Sequence, residues 1–200
     1  MKEEIHRRSI RLKNYDYSQP GAYFVTVCTK GKEFLLGNIT NEEIQLSPVG
    51  NIVEKCWMEL PNHFDNVELD EAIIMPNHFH GIIVLTENSR GVQLNAPTKK
   101  RDNNLYSRIS PRRNTLPVII RTFKGAVKMW CNHNGMNDFQ WQRNYYEHII
   151  RNDKEFKLVG EYIINNPLRW QYDQENPDGS PDEFEKEFWR FLPANVGAFN

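Results

Sequence analysis

The stretch IIMPNHFHGIIVL, residues 73–85, decides how the rest of this 200-residue chain is read. Its apolar run is interrupted at positions 75–77 by Met-Pro-Asn, a turn-forming sequence, so the flanking segments are predicted to be two antiparallel strands. The turn is followed at once by His78 and His80, with Phe79 between them. Because side chains alternate faces along a strand, both imidazoles are predicted to point to the same side of the sheet.

The elements around this hairpin are predicted in the order strand, helix, strand, strand, helix, strand, with one more helix appended. This order indicates an α+β fold, a ferredoxin-like βαββαβ core whose antiparallel sheet carries helices on one face. Apolar periodicity, capping residues and Pro/Gly punctuation give the approximate ranges. The strands are expected within residues 22–31, 66–75, 78–86 and 139–151, and the helices within 47–60, 115–135 and 152–166.

Charge is unevenly distributed along the chain, although the net charge is only −1. Residues 87–135 contain ten basic and two acidic residues, whereas residues 171–200 contain seven acidic and two basic ones. A basic segment of this kind predicts a polyanionic partner, although a solvated loop is the plainer alternative. We therefore expect one domain over 1–170, with a long basic loop at 87–115 inside it. The acidic, aromatic-containing extension is expected at 171–200.

The cysteines and the hydropathy pattern indicate the cellular compartment of the protein. Cys28, Cys56 and Cys131 are odd in number and far apart, which is typical of reduced thiols in a cytoplasmic protein. The N-terminus has no apolar signal-peptide core, and no apolar run is long enough to span a bilayer. The sequence therefore predicts a cytoplasmic protein without a membrane partner.

Two imidazoles on one face of a strand can share a metal ion, although a bare His-x-His pattern is more often structural. The segment EYIINNP, on the third predicted helix, offers further candidate ligands, because Tyr162 and Asn166 share a face of the helix. The amide oxygen of Asn166 can bind a hard cation, and the Tyr162 hydroxyl would then lie one turn away. Pro167 disfavours helical geometry at the residue before it, so Asn165 remains a competing ligand. Tyr162 can also be read as a core aromatic of an amphipathic helix.

The motifs MPNHFH, WQRNYYEHIIR and EYIINNP, in this order, resemble those of the single-tyrosine HUH transposases, particularly the REP-associated tyrosine transposase branch. The similarity extends over about residues 7–170, and HUH denotes His, a bulky hydrophobic residue and His. The resemblance implies a ferredoxin-like fold, with His78, His80 and Asn166 as metal ligands. It also implies that Tyr162 is the nucleophile of an enzyme that cleaves and rejoins single-stranded or hairpin DNA through a covalent 5′-phosphotyrosine.

The same resemblance implies the cofactor and the partners. The implied cofactor is Mg²⁺ or Mn²⁺, although imidazole ligands also accept Zn²⁺, Ni²⁺ or Co²⁺. The partner is DNA, and a monomer is favoured slightly over a homodimer. Gln142 and His148 are candidates for lying near the site or for hydrogen-bonding one of the metal ligands. The side chains predicted to bind backbone phosphates are Lys99, Lys100, Arg101, Arg108, Arg112, Arg113, Arg121, Lys124 and Lys128.

Other assignments remain open at the level of sequence. The chain can be a DNA-binding regulator that kept the fold and lost the chemistry, or a metal phosphoesterase that uses activated water. Tyr106, Tyr145 and Tyr146 compete with Tyr162 for the role of nucleophile. Because Tyr145 and Tyr146 face opposite ways on a strand, at most one of them can join the site. We interpret them mainly as sheet packing or as a base-stacking surface.

Overall fold

A four-stranded antiparallel sheet carries the fold in the computed structural model, which describes residues 15–87 and 114–192. Its strand order is β4-β5-β1-β6, and β2 and β3 form a separate small hairpin. This topology confirms the predicted α+β, ferredoxin-like core. In chain order the strands are β1 (Gly21–Cys28), β2 (Gly37–Thr40), β3 (Glu43–Leu46), β4 (Val67–Ile74), β5 (His78–Leu85) and β6 (Tyr146–Ile150).

The helices lie on both faces of this sheet. They are α1 (Pro48–Met58), α2 (Leu60–His63), α3 (Leu116–His133), α4 (Asp153–Asn165) and α5 (Glu183–Phe191), with 3₁₀ turns at Lys30–Lys32 and Pro167–Tyr172. None of the helices within the two described ranges is long and apolar enough to cross a membrane.

Two apolar layers explain this arrangement. Val53 of α1 and Phe123 of α3 pack with Val25 on one face, whereas Val159 of α4 and Phe188 of α5 belong to a second cluster on the other face. The prediction of helices on one face of the sheet holds for α1 and α3, the two helices of the βαββαβ unit. Alternate strand residues on the opposite face are apolar too, and α4 and α5 cover them.

The helix boundaries follow the predicted capping chemistry. The Ser47 hydroxyl accepts a hydrogen bond from the Gly50 N–H at 3.0 Å, and the Asn152 side chain accepts one from the Glu155 N–H at 2.9 Å. The predicted helix over 47–60 is divided, because α1 ends at Met58 and α2 starts at Leu60.

The strands add two details to the prediction. The fourth strand lies within its predicted window and occupies Tyr146–Ile150, since the segment before Tyr146 forms only an isolated bridge between Thr29 and Trp141. The β2–β3 hairpin was not predicted. Its turn residues Asn41 and Glu42 both have positive φ, and glutamate at such a position is an uncommon turn signal.

Candidate active site

The two histidines lie at the start of β5, in the middle of the sheet. Both are fully buried, and their ring centroids are 4.4 Å apart. Phe79, between them, packs in the opposite core against Trp57. The predicted same-face arrangement is therefore present, on the side of the sheet that α4 and α5 cover.

A chain of hydrogen bonds fixes the tautomer of His78. The Asn77 side chain donates through Nδ2 to the carbonyl oxygens of Lys32 and Glu175, at 3.2 and 2.7 Å, which orients its Oδ1 toward the histidine. Because Oδ1 can only accept, the His78 Nδ1 that lies 2.8 Å away must carry the proton and donate it. The Nε2 atom of His78 is then left with a lone pair that can bind a metal.

His80 is held in a similar way from the neighbouring strand. Its Nδ1 lies 2.8 Å from the Thr26 hydroxyl, directly across the β1–β5 ladder. Its Nε2 is buried and has no hydrogen-bond partner among the described residues, as is also true of His78 Nε2. Both imidazoles therefore present a free ring nitrogen to the same space.

Asn166, rather than Asn165, turns toward the histidines. Asn165 is exposed and donates to the Glu161 carbonyl, whereas Asn166 is 1% exposed. Asn166 has helical angles, φ −58° and ψ −40°, so the expectation that Pro167 would disfavour this geometry is wrong. A 3₁₀ turn starts at Pro167, where the missing N–H costs nothing, and the chain continues to turn.

Asp173 is a further member of the site that sequence reasoning missed. The turn over Pro167–Tyr172 brings its carboxylate back beneath Asn166, whose Nδ2 donates to Asp173 Oδ2 at 2.9 Å. The same oxygen lies 3.6 Å from His78 Nε2 and 3.9 Å from His80 Nε2. No local signal distinguishes Asp173 from the other acids of the extension, because only its tertiary position buries it.

The electrostatics of this cluster favour a neutral His78 imidazole beside an ionised carboxylate. Burial lowers the pKa of His78 to about 3, so near neutrality its ring carries the Nδ1 proton alone and Nε2 keeps its lone pair. Burial alone would raise the pKa of Asp173, but the imidazoles of His78 and His80 and the Asn166 amide lower it instead. Two imidazole nitrogens and one carboxylate thus form a donor set that fits a divalent cation. Asn166 Oδ1, which has no hydrogen-bond partner among the described residues, is a candidate fourth ligand.

We expect Thr26→Val to lower the affinity of the protein for Mn²⁺ by about 10- to 100-fold, the range found when support for a metal ligand is removed. Valine keeps the shape of the side chain but leaves His80 Nδ1 without its partner. Isothermal titration with Mn²⁺ measures the effect, and Thr40→Val, on the exposed β2–β3 hairpin, is the control. Equal Mn²⁺ affinity in both variants would contradict the role of Thr26.

Tyr162 lies beside these donors but is enclosed. Its ring centroid is 5.5 Å from that of His80, and its ring stacks on Phe188 of α5 at 3.7 Å. The hydroxyl donates to Glu185 Oε1 at 2.9 Å and accepts from Trp189 Nε1 at 3.3 Å. Only 3% of Tyr162 is exposed, and burial together with the neighbouring carboxylates raises the pKa of its phenol well above the ordinary value.

Several other predicted site residues have different contacts. The Lys124 ammonium donates to the carbonyls of Gln142 and Asn144, and that of Lys128 to the carbonyls of Asn137 and Phe139. Both lysines thus fasten the segment before β6 to α3, whereas Arg121 is exposed. The predicted phosphate-binding residues Lys99, Lys100, Arg101, Arg108, Arg112 and Arg113 lie outside the described residues, as does Tyr106.

The contacts observed for His148 and Gln142 are with residues other than the two histidines. His148 Nε2 lies 2.7 Å from Glu155 Oε1 at the start of α4, and Gln142 bonds through its backbone to Cys28. The residues that lie within hydrogen-bond distance of the Nδ1 atoms of the two histidines are Thr26 and Asn77. Tyr145 and Tyr146 pack in opposite cores, as the alternation along a strand predicts.

Comparison with known proteins gives two sequence relatives, both from Haemophilus influenzae, and no family model matches the chain. The first, an "Uncharacterized protein", is 46% identical over 169 residues, which are 84% of this chain and 92% of that protein. The second, a "Putative REP-associated tyrosine transposase", is 25% identical over 167 residues, 80% of this chain and 79% of that protein. The chain is therefore transposase-like in sequence, which confirms the resemblance that the three motifs indicate.

Two solved structures also overlay on the chain. One, a REP-associated tyrosine transposase bound to a REP hairpin, covers 100% of this chain and 93% of its own, at a TM-score of 0.49 and 19% identity. The other, a putative transposase from Deinococcus radiodurans, covers 76% of this chain and 94% of its own, at a TM-score of 0.42 and 14% identity. Neither score is high enough to carry a conclusion about this chain.

Proposed function

We propose that this chain, which belongs to one family with the first of these relatives and is similar to REP-associated tyrosine transposases, is a metal-dependent DNA transposase. In this proposal it cleaves and rejoins single-stranded or hairpin DNA, and Tyr162 becomes covalently attached to the 5′-phosphate. His78, His80, Asn166 and Asp173 are the proposed metal ligands.

One observation carries the proposal: His78 Nε2 and His80 Nε2 are buried, have no hydrogen-bond partner among the described residues, and lie 3.6 and 3.9 Å from Asp173 Oδ2, with the His80 ring beside Tyr162. The buried Oδ1 of Asn166 also has no such partner within the described ranges, and the amide nitrogen of the same side chain bonds Asp173. A buried polar atom left unsatisfied costs about 1–3 kcal/mol, so these three atoms need a compensating partner. A cation bound by all four side chains satisfies each of them.

The donor types favour a cation that accepts both oxygen and imidazole ligands. Carboxylate and amide oxygens suit Mg²⁺ and Mn²⁺, and the two imidazoles make Mn²⁺ the better fit of the two. Such a cation would polarise a phosphate oxygen and stabilise the charge that develops during phosphoryl transfer. The four side chains would hold this cation at a fixed distance from Tyr162.

Tyr162 supplies the nucleophile in the proposed reaction. Its phenolic oxygen forms a bond to phosphorus while the bond from phosphorus to the 3′ oxygen breaks. The phenolic proton is released to solvent, and the departing 3′ oxygen takes one up. The reverse reaction, with a new 3′ hydroxyl, rejoins the strand without an external energy source.

The proposal assigns the remaining features as follows. Basic side chains of the 87–115 loop and Arg121 bind backbone phosphates, whereas Lys124 and Lys128 serve the fold. The acting unit is a monomer, since one chain supplies all four ligands and Tyr162. The proposed location is the cytoplasm, consistent with three cysteines that are all free thiols.

A second candidate function, a catalytically silent DNA-binding regulator, is favoured by one specific observation. Tyr162 is 3% exposed, and both of its hydroxyl hydrogen bonds are to α5. A nucleophile enclosed in this way cannot meet a phosphate unless α5 moves. The two functions therefore differ in whether α5 ever releases the tyrosine.

The test is a covalent-adduct assay on hairpin oligonucleotides taken from the ends of the protein's own element. The protein is incubated with Mn²⁺ or with EDTA, and the oligonucleotide is labelled at either the 3′ or the 5′ end. We expect a denaturant-resistant adduct that needs Mn²⁺, carries only the 3′ label, and maps to Tyr162 by peptide mass spectrometry. Cleavage without an adduct would instead support a phosphoesterase, and binding without cleavage would support the regulator.

A further inference from the structure

An aromatic pair lies next to His78 and reaches the surface of the protein. Phe34, in the loop after β1, lies edge-on to Trp170 of the turn over Pro167–Tyr172, with ring centroids 5.7 Å apart. Trp170 in turn is 6.1 Å from the His78 ring. Phe34 is 42% exposed and Trp170 is partly exposed, so the pair extends from the buried histidine to the surface.

The loop that carries Phe34 is firmly attached to the turn that carries His78. Thr29 donates through its hydroxyl to the Asn77 carbonyl at 2.9 Å, and the Leu36 N–H donates to the Pro76 carbonyl at 2.9 Å. Asn77 closes the network from the other side by donating to the Lys32 carbonyl. The exposed ring therefore stands at a fixed position relative to His78.

The turn that carries Trp170 is equally tied to the ligands. Trp170 lies between Asn166 and Asp173 in the chain, and its carbonyl accepts from the Asp173 N–H at 3.2 Å and from the Asn176 amide at 2.9 Å. Both halves of the aromatic pair are thus fixed by the residues that form the proposed cation site. An exposed aromatic pair held in this way has a small ordering cost on binding.

The loop that carries Phe34 also carries two lysines and the exposed Glu33. Lys30 is exposed, and its ammonium bonds only to the neutral Gln140 side chain among its observed contacts. Lys32, on the same loop, is partly exposed beside Glu175. Aromatic rings that project next to cations are the usual platform for bases of single-stranded DNA, whose faces are free to stack. Bases inside a duplex have no free face to offer.

We propose that one unpaired base of the DNA strand stacks on Trp170, with Phe34 edge-on against it, and that this contact places its adjoining phosphate at the cluster of His78, His80, Asn166 and Asp173. The inference rests on the proposed function, because it identifies the nucleotide that flanks the phosphate to be cut. The platform is exposed while Tyr162 is covered, so a strand can dock there before α5 moves.

The test follows base stacking rather than cleavage. The hairpin oligonucleotide carries 2-aminopurine at one flanking single-stranded position at a time, and fluorescence is read with Tyr162→Phe protein in EDTA, where no chemistry occurs. We expect strong quenching at one position, which Trp170→Ala abolishes and Trp170→Phe preserves. No quenched position, or quenching that survives in Trp170→Ala, would overturn the platform.

A double-mutant cycle gives the second measurement. An abasic site at the quenched position and the Trp170→Ala substitution are each expected to weaken binding about tenfold, within the range for loss of one base stack. Together they should weaken it no further than either alone, because both remove the same contact. Effects that multiply would contradict the proposal. Melting curves and Mn²⁺ titrations of Trp170→Ala check that the fold and the cation site persist.

The outcomes separate this inference from the proposed function. Coupled losses without any covalent adduct would overturn the transposase chemistry and keep the platform. An adduct whose formation is unaffected by the abasic site and by Trp170→Ala would overturn the platform and keep the transposase chemistry. Phe34→Leu, which keeps an apolar side chain but removes the ring, should reproduce a partial loss of quenching.

Discussion

Tyr162→Phe is expected to reduce formation of the covalent DNA adduct by about 10³-fold or more, as removal of a nucleophile does in other enzymes. The affinities for Mn²⁺ and for the oligonucleotide should be unchanged, since the phenyl ring at this position can still stack on Phe188. The substitution removes only the hydroxyl that bonds Glu185 and Trp189. These two residues keep their own hydrogen bond at 2.8 Å, so the local fold should persist.

This experiment distinguishes a nucleophile from a structural residue. If Tyr162 only tied α5 to the sheet, loss of its hydroxyl would loosen α5 and cleavage would stay the same or increase. If Tyr162 is the nucleophile, the adduct disappears even though the site is easier to reach. The matched control is Tyr146→Phe, which removes a buried hydroxyl in the same core that donates only a long hydrogen bond, 3.4 Å, to the Leu192 carbonyl. Equal adduct yields from the two variants would exclude Tyr162 as the nucleophile.

The parts of the fold with strong local signals could be predicted from the sequence. The Met-Pro-Asn turn, the caps at Ser47 and Asn152 and the apolar composition of β1 and β5 are each encoded within a few residues. The placement of His78 and His80 on one face follows from the alternation of side-chain direction along any strand. Asn166 could be proposed because helical spacing relates it to Tyr162, although only the structure excludes Asn165.

The rest of the site depends on contacts between residues distant in the chain. Asp173 and Glu185 are two of the seven acids in residues 171–200, and nothing local sets them apart. They are buried because the 3₁₀ turn and α5 fold back over the sheet. For the same reason Lys124 and Lys128 look like phosphate-binding residues in sequence, although their ammonium groups bond backbone carbonyls in the fold.

Ending the chain after Ser180 is expected to increase the rate of adduct formation about 10²-fold or more. The truncation removes α5 but keeps Asp173. Phe188 is 3% exposed and Leu192 1%, and burial of each such side chain contributes about 1.5–3 kcal/mol. Lifting α5 from the sheet therefore costs about 3–6 kcal/mol, and each 1.36 kcal/mol corresponds to a factor of ten in the population that can react. The initial rate of adduct formation with Mn²⁺ and a 3′-labelled hairpin measures the change.

Two substitutions in the full-length chain control for the truncation. Phe188→Ala removes the ring that covers Tyr162 and should raise the rate toward that of the truncated chain. Phe191→Ala changes a side chain of the same helix that is 50% exposed, and it should leave the rate unchanged. Melting curves verify that each variant is folded at the assay temperature. A lower rate in both the truncated chain and Phe188→Ala would mean that α5 belongs to the catalytic machinery. If α5 only covers the tyrosine, both changes must raise the rate of adduct formation, because a covered phenol hydrogen-bonded to Glu185 cannot attack until the helix leaves.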